Sequence, residues 1–144
     1  MSNDLHNNSR VLRVVSPVAV GTTGTGKTGA VIDTQGFGGV EFIVSYGTVT
    51  ATNAVFTVVV KDGTVTGTLV SVADEFLLGT EDLAGLAAGV RTSGTTKNVT
   101  KRVGYVVTTK RYVNASISST VTAGPPIAID AVLHNPHVAP TDNP

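Results

Sequence analysis

The residues best equipped for chemistry form one run, Gly21-Thr22-Thr23-Gly24-Thr25-Gly26-Lys27-Thr28, which satisfies the phosphate-loop pattern G-x-x-x-x-G-K-[ST] letter for letter. In such a loop, backbone N–H groups and a helix N-terminus cradle phosphates, the lysine reaches the β- and γ-phosphates, and the hydroxyl holds magnesium. That chemistry needs a strand before the loop and a helix of several turns after it. Here the chain continues GAVIDTQGFGG, which is β-branched and soon reaches the Gly38-Gly39 pair, leaving no room for a helix. The βαβ alternation of a nucleotide-binding fold is also missing. Asp33 in AVID and Asp130 in IAID could each be offered as a magnesium ligand, but such tetrads arise by chance in a chain rich in Val and Ile. Gly21, Gly26, Lys27 and Thr28 are therefore read as parts of a flexible Gly/Thr connection between two strands.

Other constellations offer less. His6, His134 and His137 lack the spacing of a metal site, and the two imidazoles of HNPH do not close a tetrahedral shell. There is no cysteine, which removes a thiolate nucleophile, a thiolate zinc site and a disulfide scaffold. No serine sits in a nucleophile elbow. Asn98-Val99-Thr100 and Asn114-Ala115-Ser116 match the glycosylation triplet, which has no meaning without a secretory signal, and the polar start MSNDLHNNSR lacks the basic-then-apolar pattern of one. No metal, cofactor or catalytic residue is expected.

Charge is segregated. Asp74, Glu75, Glu81 and Asp82 cluster, and no acid lies between Asp82 and Asp130. Arg91, Lys97, Lys101, Arg102, Lys110 and Arg111 are six of the ten basic residues. Two readings stand. The basic set is an edge that docks on an acidic partner or on the acidic segment of a second copy, where charge fixes register more than affinity. Or it is a solvated edge whose lysines discourage unwanted pairing.

The elements that must position these groups are strands. The 144 residues include 25 Val and 22 Thr against 8 Leu, and β-branched side chains fit pleated surfaces. Strands are expected over 10–20, 30–34, 40–47, 54–60, 64–72, 102–107, 111–117 and 126–133. Pro17 lacks a donor, so the first is an edge strand or a broken one. The turn before the third is read as 35–39. Lys61-Asp62-Gly63 reads as a hairpin turn of two or three residues, and a three-residue loop would put Gly63 at the left-handed position. Residues 102–107 and 111–117 read as antiparallel strands joined through Thr108-Thr109-Lys110. The helical candidate is 74–88, with Thr80 as cap and Leu83, Leu86 and Ala87 on one face. Val40, Phe42, Val44, Phe56, Val58, Val60, Val113 and Ile117 are the expected core. The architecture is thus all-β: one antiparallel β-sandwich or jelly roll over 10–133, with one short helix, a polar N-terminal arm (1–9) and a Pro-rich C-terminal arm (134–144).

Charged residues make up 14% of the chain and hydrophobic ones 41%, with formal net charge zero. A globular norm is about 25% charged. Low charge suits a surface covered by partners, and zero net charge argues against nucleic-acid or membrane-surface binding. No apolar run approaches the roughly 20 residues of a membrane span.

Three stretches together resemble a known family. They are Ile32-Asp33-Thr34-Gln35-Gly36-Phe37 leading into VEFIVSYGT, then Leu77-Leu78-Gly79-Thr80-Glu81, then Val103-Gly104-Tyr105 with Lys110-Arg111-Tyr112-Val113, ahead of a tail ending HVAPT. The pattern resembles the small capsid cement or decoration proteins of tailed bacteriophages, over residues 10–141. The resemblance implies a non-enzymatic virion structural protein, made in the host bacterial cytoplasm. It would bind the outside of the capsid, associate with itself as a dimer or trimer, and clamp adjacent major capsid subunits. It supplies no catalytic residues. On this reading Arg91, Lys97, Lys101 and Arg102 contact the partner, with Lys110 and Arg111 beside them. The alternatives are another phage head–tail or tail β-module, a carbohydrate-binding β-sandwich (disfavoured by the lack of Trp for stacking on sugars), and a nucleotide-binding enzyme working through Lys27.

Overall fold

Alternation of β-branched and polar residues decides the architecture, because each strand buries one face and wets the other. The computed structural model describes residues 4–19, 26–49, 51–89, 98–120 and 126–138. In chain order the strands are β1 (Ser9–Ala19), β2 (Gly26–Lys27), β3 (Ile32–Asp33), β4 (Phe37–Tyr46), β5 (Phe56–Val65), β6 (Thr68–Ser71), β7 (Leu77–Leu78), β8 (Thr100–Val106), β9 (Tyr112–Ser119) and β10 (Pro126–Pro136). Helix α1 (Glu81–Ala84) is a single turn, and 3-10 turns occupy His6–Asn8 and Asp74–Phe76. One sheet has the order β1-β10-β4-β8-β7 and the other β2-β9-β5-β6, with β3 also paired to β9. Every pairing is antiparallel. The chain is an all-β sandwich.

The core lies between the sheets. Val40, Phe42 and Val44 of β4, Ile127, Ile129 and Leu133 of β10, and Val103 and Tyr105 of β8 meet Phe56, Val58 and Val60 of β5 and Val113, Ala115 and Ile117 of β9. All eight expected core residues are buried there. Each such side chain contributes about 1.5–3 kcal/mol of transfer free energy, set against the backbone entropy of ordering the strands. Two tyrosines tie the layers with polar tips. The Tyr46 ring packs edge-on to Phe56 with centroids 5.6 Å apart, and its hydroxyl donates to the Ala84 carbonyl at 2.7 Å. The Tyr105 hydroxyl donates to Asp62 Oδ2 at 2.9 Å, where Asp62 is itself buried.

Several local expectations yield to tertiary pairing. The chain does not turn at Lys61-Asp62-Gly63: β5 runs on to Val65, the turn is Thr66-Gly67, and Gly63 pairs with Tyr112. Asp62 prefers the Tyr105 hydroxyl inside the core to a turn on the surface, and among the described residues the left-handed glycines are Gly36 and Gly79, not Gly63. Strands β8 and β9 do not form a hairpin. Residues 107–111 carry the chain from one sheet to the other, and β8 pairs with β4 and β7 while β9 pairs with β5.

The helix shrinks to one turn. Thr80 does cap it, its Oγ1 accepting the Leu83 N–H at 3.2 Å; Ala84 is buried and Leu86, just beyond the helix, packs against the core, but Leu83 is 62% exposed. The strand expected over 30–34 is only Ile32–Asp33. Gly38 and Gly39 belong to β4 rather than to a turn: the His134 imidazole lies where a Gly39 Cβ would be, and the Asn135 amide crowds Gly38 in the same way.

Strand pairing also reaches into both expected arms. Residues 6–8 form a turn and Ser9 already pairs with His134. β10 continues through Pro136, which pairs with Phe37. Pro17 does mark an edge: β1 pairs only with β10, and its register shifts between Val15 and Val18.

Candidate functional site

A groove of about 620 Å3 opens at the β7 edge of the first sheet, lined by Glu41, Leu78, Gly79, Leu83, Thr100, Lys101 and Arg102. Its wall is built by register. Glu41 of β4 lies opposite Gly104 of β8, which lies opposite Leu78 of β7. Gly104 is the gap in that row: a Cβ there would come within 2.7 Å of Glu41 Oε2 and 2.9 Å of Leu78 Cβ. The missing side chain lets the glutamate and the leucine share the outer face. Two residues along β8, Arg102 places its Nε 3.6 Å from Glu41 Oε1 with its side chain 80% exposed. A pair this open contributes little to stability and leaves the guanidinium available.

The opposite rim comes from the turn after β7. Gly79 has φ +88°, a left-handed conformation that glycine adopts without strain. That turn leads into the Thr80 cap and presents Leu83. Leu78 and Leu83 are 56% and 62% exposed. Asp74, Glu75 and Asp82, also exposed, lie in the flanking turns. Glu81 turns away, its Oε1 accepting the Val60 N–H of β5 at 2.5 Å. The site therefore offers two bare leucines with cations and acids around them. That arrangement is complementary to a surface of mixed apolar and charged character.

The structure divides the basic set. Lys101 and Arg102 are in the groove. Lys110 and Arg111 lie beyond the far end of β8, in a separate depression of about 240 Å3 with Thr34, Gln35, Phe37 and His137. Arg111 is committed to Asp33, with Nε–Oδ1 at 2.8 Å and Nη2–Oδ2 at 2.6 Å. Its guanidinium also sits 5.2 Å from the Tyr112 ring centroid. The guanidinium hydrogen bonds hold the Asp33 carboxyl below its ordinary range. Arg111 thus fastens β3 to the start of β9, and the Thr34 Oγ1 donates to the Arg111 carbonyl at 2.7 Å beside it. Arg91, Lys97 and Gly21 lie outside the described residues.

Of the phosphate-loop letters, Gly26 and Lys27 are strand and residues 21–25 lie outside the described residues. Gly26 pairs with Ser118 and Lys27 with Ile117. The chain after Lys27 leads to β3 with no helix between them. Both glycines have a packing reason: a Cβ on Gly26 would overlap the Ile117 carbonyl oxygen, and one on Gly29 the Ala115 carbonyl oxygen. Gly26 and Lys27 are thus a short strand rather than part of a connection, and Gly29 is packed closely against β9. Among the described residues no group of three or more His, Asp or Glu side chains converges, and no helix is long and apolar enough to cross a membrane.

Sequence reasoning missed Glu41, Leu78, Leu83, Gly79 and Gly104 as surface-site residues. Leu83 is read in the sequence only as sharing one helix face with Leu86 and Ala87. The usable signal was Gly104, a glycine in the middle of the strand sequence RVGYVV, since a strand glycine marks a close approach. A comparison with protein-family models, curated proteins and solved structures finds no match to this chain, so no relative's residues carry over onto the groove.

Proposed function

We propose that the protein is a non-enzymatic virion structural protein that binds the outer surface of a bacteriophage capsid and cements adjacent major capsid subunits. The resemblance over residues 10–141 motivates the reading. The observation that carries it is the groove, where Leu78 and Leu83 stand exposed beside Lys101 and Arg102. Covering two half-exposed leucines yields about 1–2 kcal/mol each, which is weak for one copy. Repetition over a shell lattice turns weak contacts into firm attachment. The charged rim sets register, and β1, an edge strand with Val11 exposed, offers main-chain groups for pairing with a neighbour. Two packed sheets sharing one core form the stiff body such bridging needs.

The test is sedimentation of the purified chain with expanded empty capsids of the parent phage and with unexpanded precursor shells. Co-sedimentation with expanded shells alone is expected. Failure to bind either shell refutes the reading. A copy number that follows the shell subunits supports decoration, whereas a ring-sized copy number supports a neck or tail component.

A further inference from the structure

We propose that the shallow depression on the outer face of the second sheet, between β2, β5 and β9, is a binding site for a tetrahedral oxyanion, phosphate or sulfate, free or as an ester. It has a volume of about 210 Å3, and Lys27, Thr28, Thr57, Lys61, Ser116 and Ser118 line it. The strand register assembles it. Thr57 lies opposite Ser118 and Val59 opposite Ser116, so hydroxyls from two strands stand side by side while Phe56, Val58 and Ile117 face the core. β2 closes the third side: Gly26 pairs with Ser118 and, lacking a Cβ, sits hard against the Ile117 backbone. That contact brings Lys27 and Thr28 to the depression rather than to a helix N-terminus.

The electrostatics favour an anion. Two ammonium groups and four hydroxyls line the site, and no carboxylate does. Among the described residues neither lysine has an ion-pair partner. The adjoining sequence Val20-Gly21-Thr22-Thr23-Gly24-Thr25 contains no acid. Of the acids in adjoining elements, Asp62 is buried against Tyr105, Asp33 is paired with Arg111 and Glu81 accepts the Val60 N–H from the edge of β5 remote from β9, while Asp82 lines the neighbouring depression that Thr57 also borders. Hydroxyl donors and point-like ammonium groups match an anion with several oxygens, and charge-assisted bonds of this kind are the stronger class. The site is separate from the groove at β7 and independent of capsid binding.

The isotopically labelled full chain, titrated with sodium phosphate and with sodium sulfate at constant ionic strength, is followed by heteronuclear NMR. Saturable shifts are expected at the amides of Lys27, Thr57, Lys61, Ser116 and Ser118, with half-saturation on the order of millimolar. Lys61→Gln should weaken binding about tenfold, and Lys27→Gln/Lys61→Gln should abolish it while spectral dispersion is retained. Glucose 6-phosphate distinguishes the sources: shifts like those of phosphate assign the site to ester-borne groups as well, and their absence assigns it to the free ion. Shifts of equal size from chloride or glucose alone, absence of saturable shifts, or shifts unchanged in the double variant would overturn the proposal.

Discussion

Tyr105→Phe is the sharpest probe of how the two sheets are held together. The substitution keeps the ring in the core and removes one hydroxyl, which donates to Asp62 Oδ2 at 2.9 Å across the sandwich. Asp62 is 7% exposed, so water does not replace the lost donor freely. A buried acceptor left without its partner costs about 1–3 kcal/mol, and about 2 kcal/mol is expected here. For a chain of this length that lowers Tm by roughly 6 °C. Asp62→Val should cost about as much, because it strands the hydroxyl instead. The double variant Tyr105→Phe/Asp62→Val removes both polar groups and should cost no more than about 1 kcal/mol, since an apolar pair replacing a hydrogen-bonded one is close to neutral. The coupling energy from urea denaturation of the four proteins is thus about 3 kcal/mol. Strictly additive single costs, or a Tyr105→Phe loss below about 0.5 kcal/mol, would refute the inter-sheet tie.

Gly39→Ala should destabilise the fold by about 1–3 kcal/mol through overlap with the His134 imidazole; adding His134→Ala should recover most of that loss in thermal melts. Burial raises the Tyr46 and Tyr105 hydroxyls above their ordinary value of 10.0. Folded values above unfolded ones mean a contribution complete below about pH 10 and lost as pH rises beyond it, so urea midpoints should fall as pH rises from about 10 to about 12, less steeply in Tyr46→Phe. Arg111 depresses Asp33, so the stability from that pair is present above the unfolded value near 3.8 and should fade as pH drops further; Arg111→Gln should flatten the acid limb of the stability curve. Leu78→Asp and Arg102→Glu should each weaken capsid co-sedimentation without changing Tm, and full binding by both would discard the groove as the contact.

The β class and the inward residues follow from the sequence by itself. A period of two in AVFTVVV or VEFIVSYG assigns Phe56, Val58 and Val60, or Val40, Phe42 and Val44, to one face whatever the partner strand is. Pro17 carries its edge position in its missing donor, and Thr80 its cap in its hydroxyl. These are local properties of backbone and side chain. What tertiary structure alone decided is which faces and strands meet. Alternation in RVGYVV and RYVNASI says that both strands have a buried side but not that they lie in opposite sheets. The Asp-Gly turn signal at 62–63 lost because a core hydroxyl from a residue 43 positions away offered Asp62 a better partner. Lys101 and Arg102 were visible as basic residues, whereas the groove around them depends on Gly104 leaving space between Glu41 and Leu78 on neighbouring strands. Two of the phosphate-loop letters lost their usual meaning for the same reason: β9 claimed Gly26 and Lys27 as strand partners, so they do not lead into a helix N-terminus.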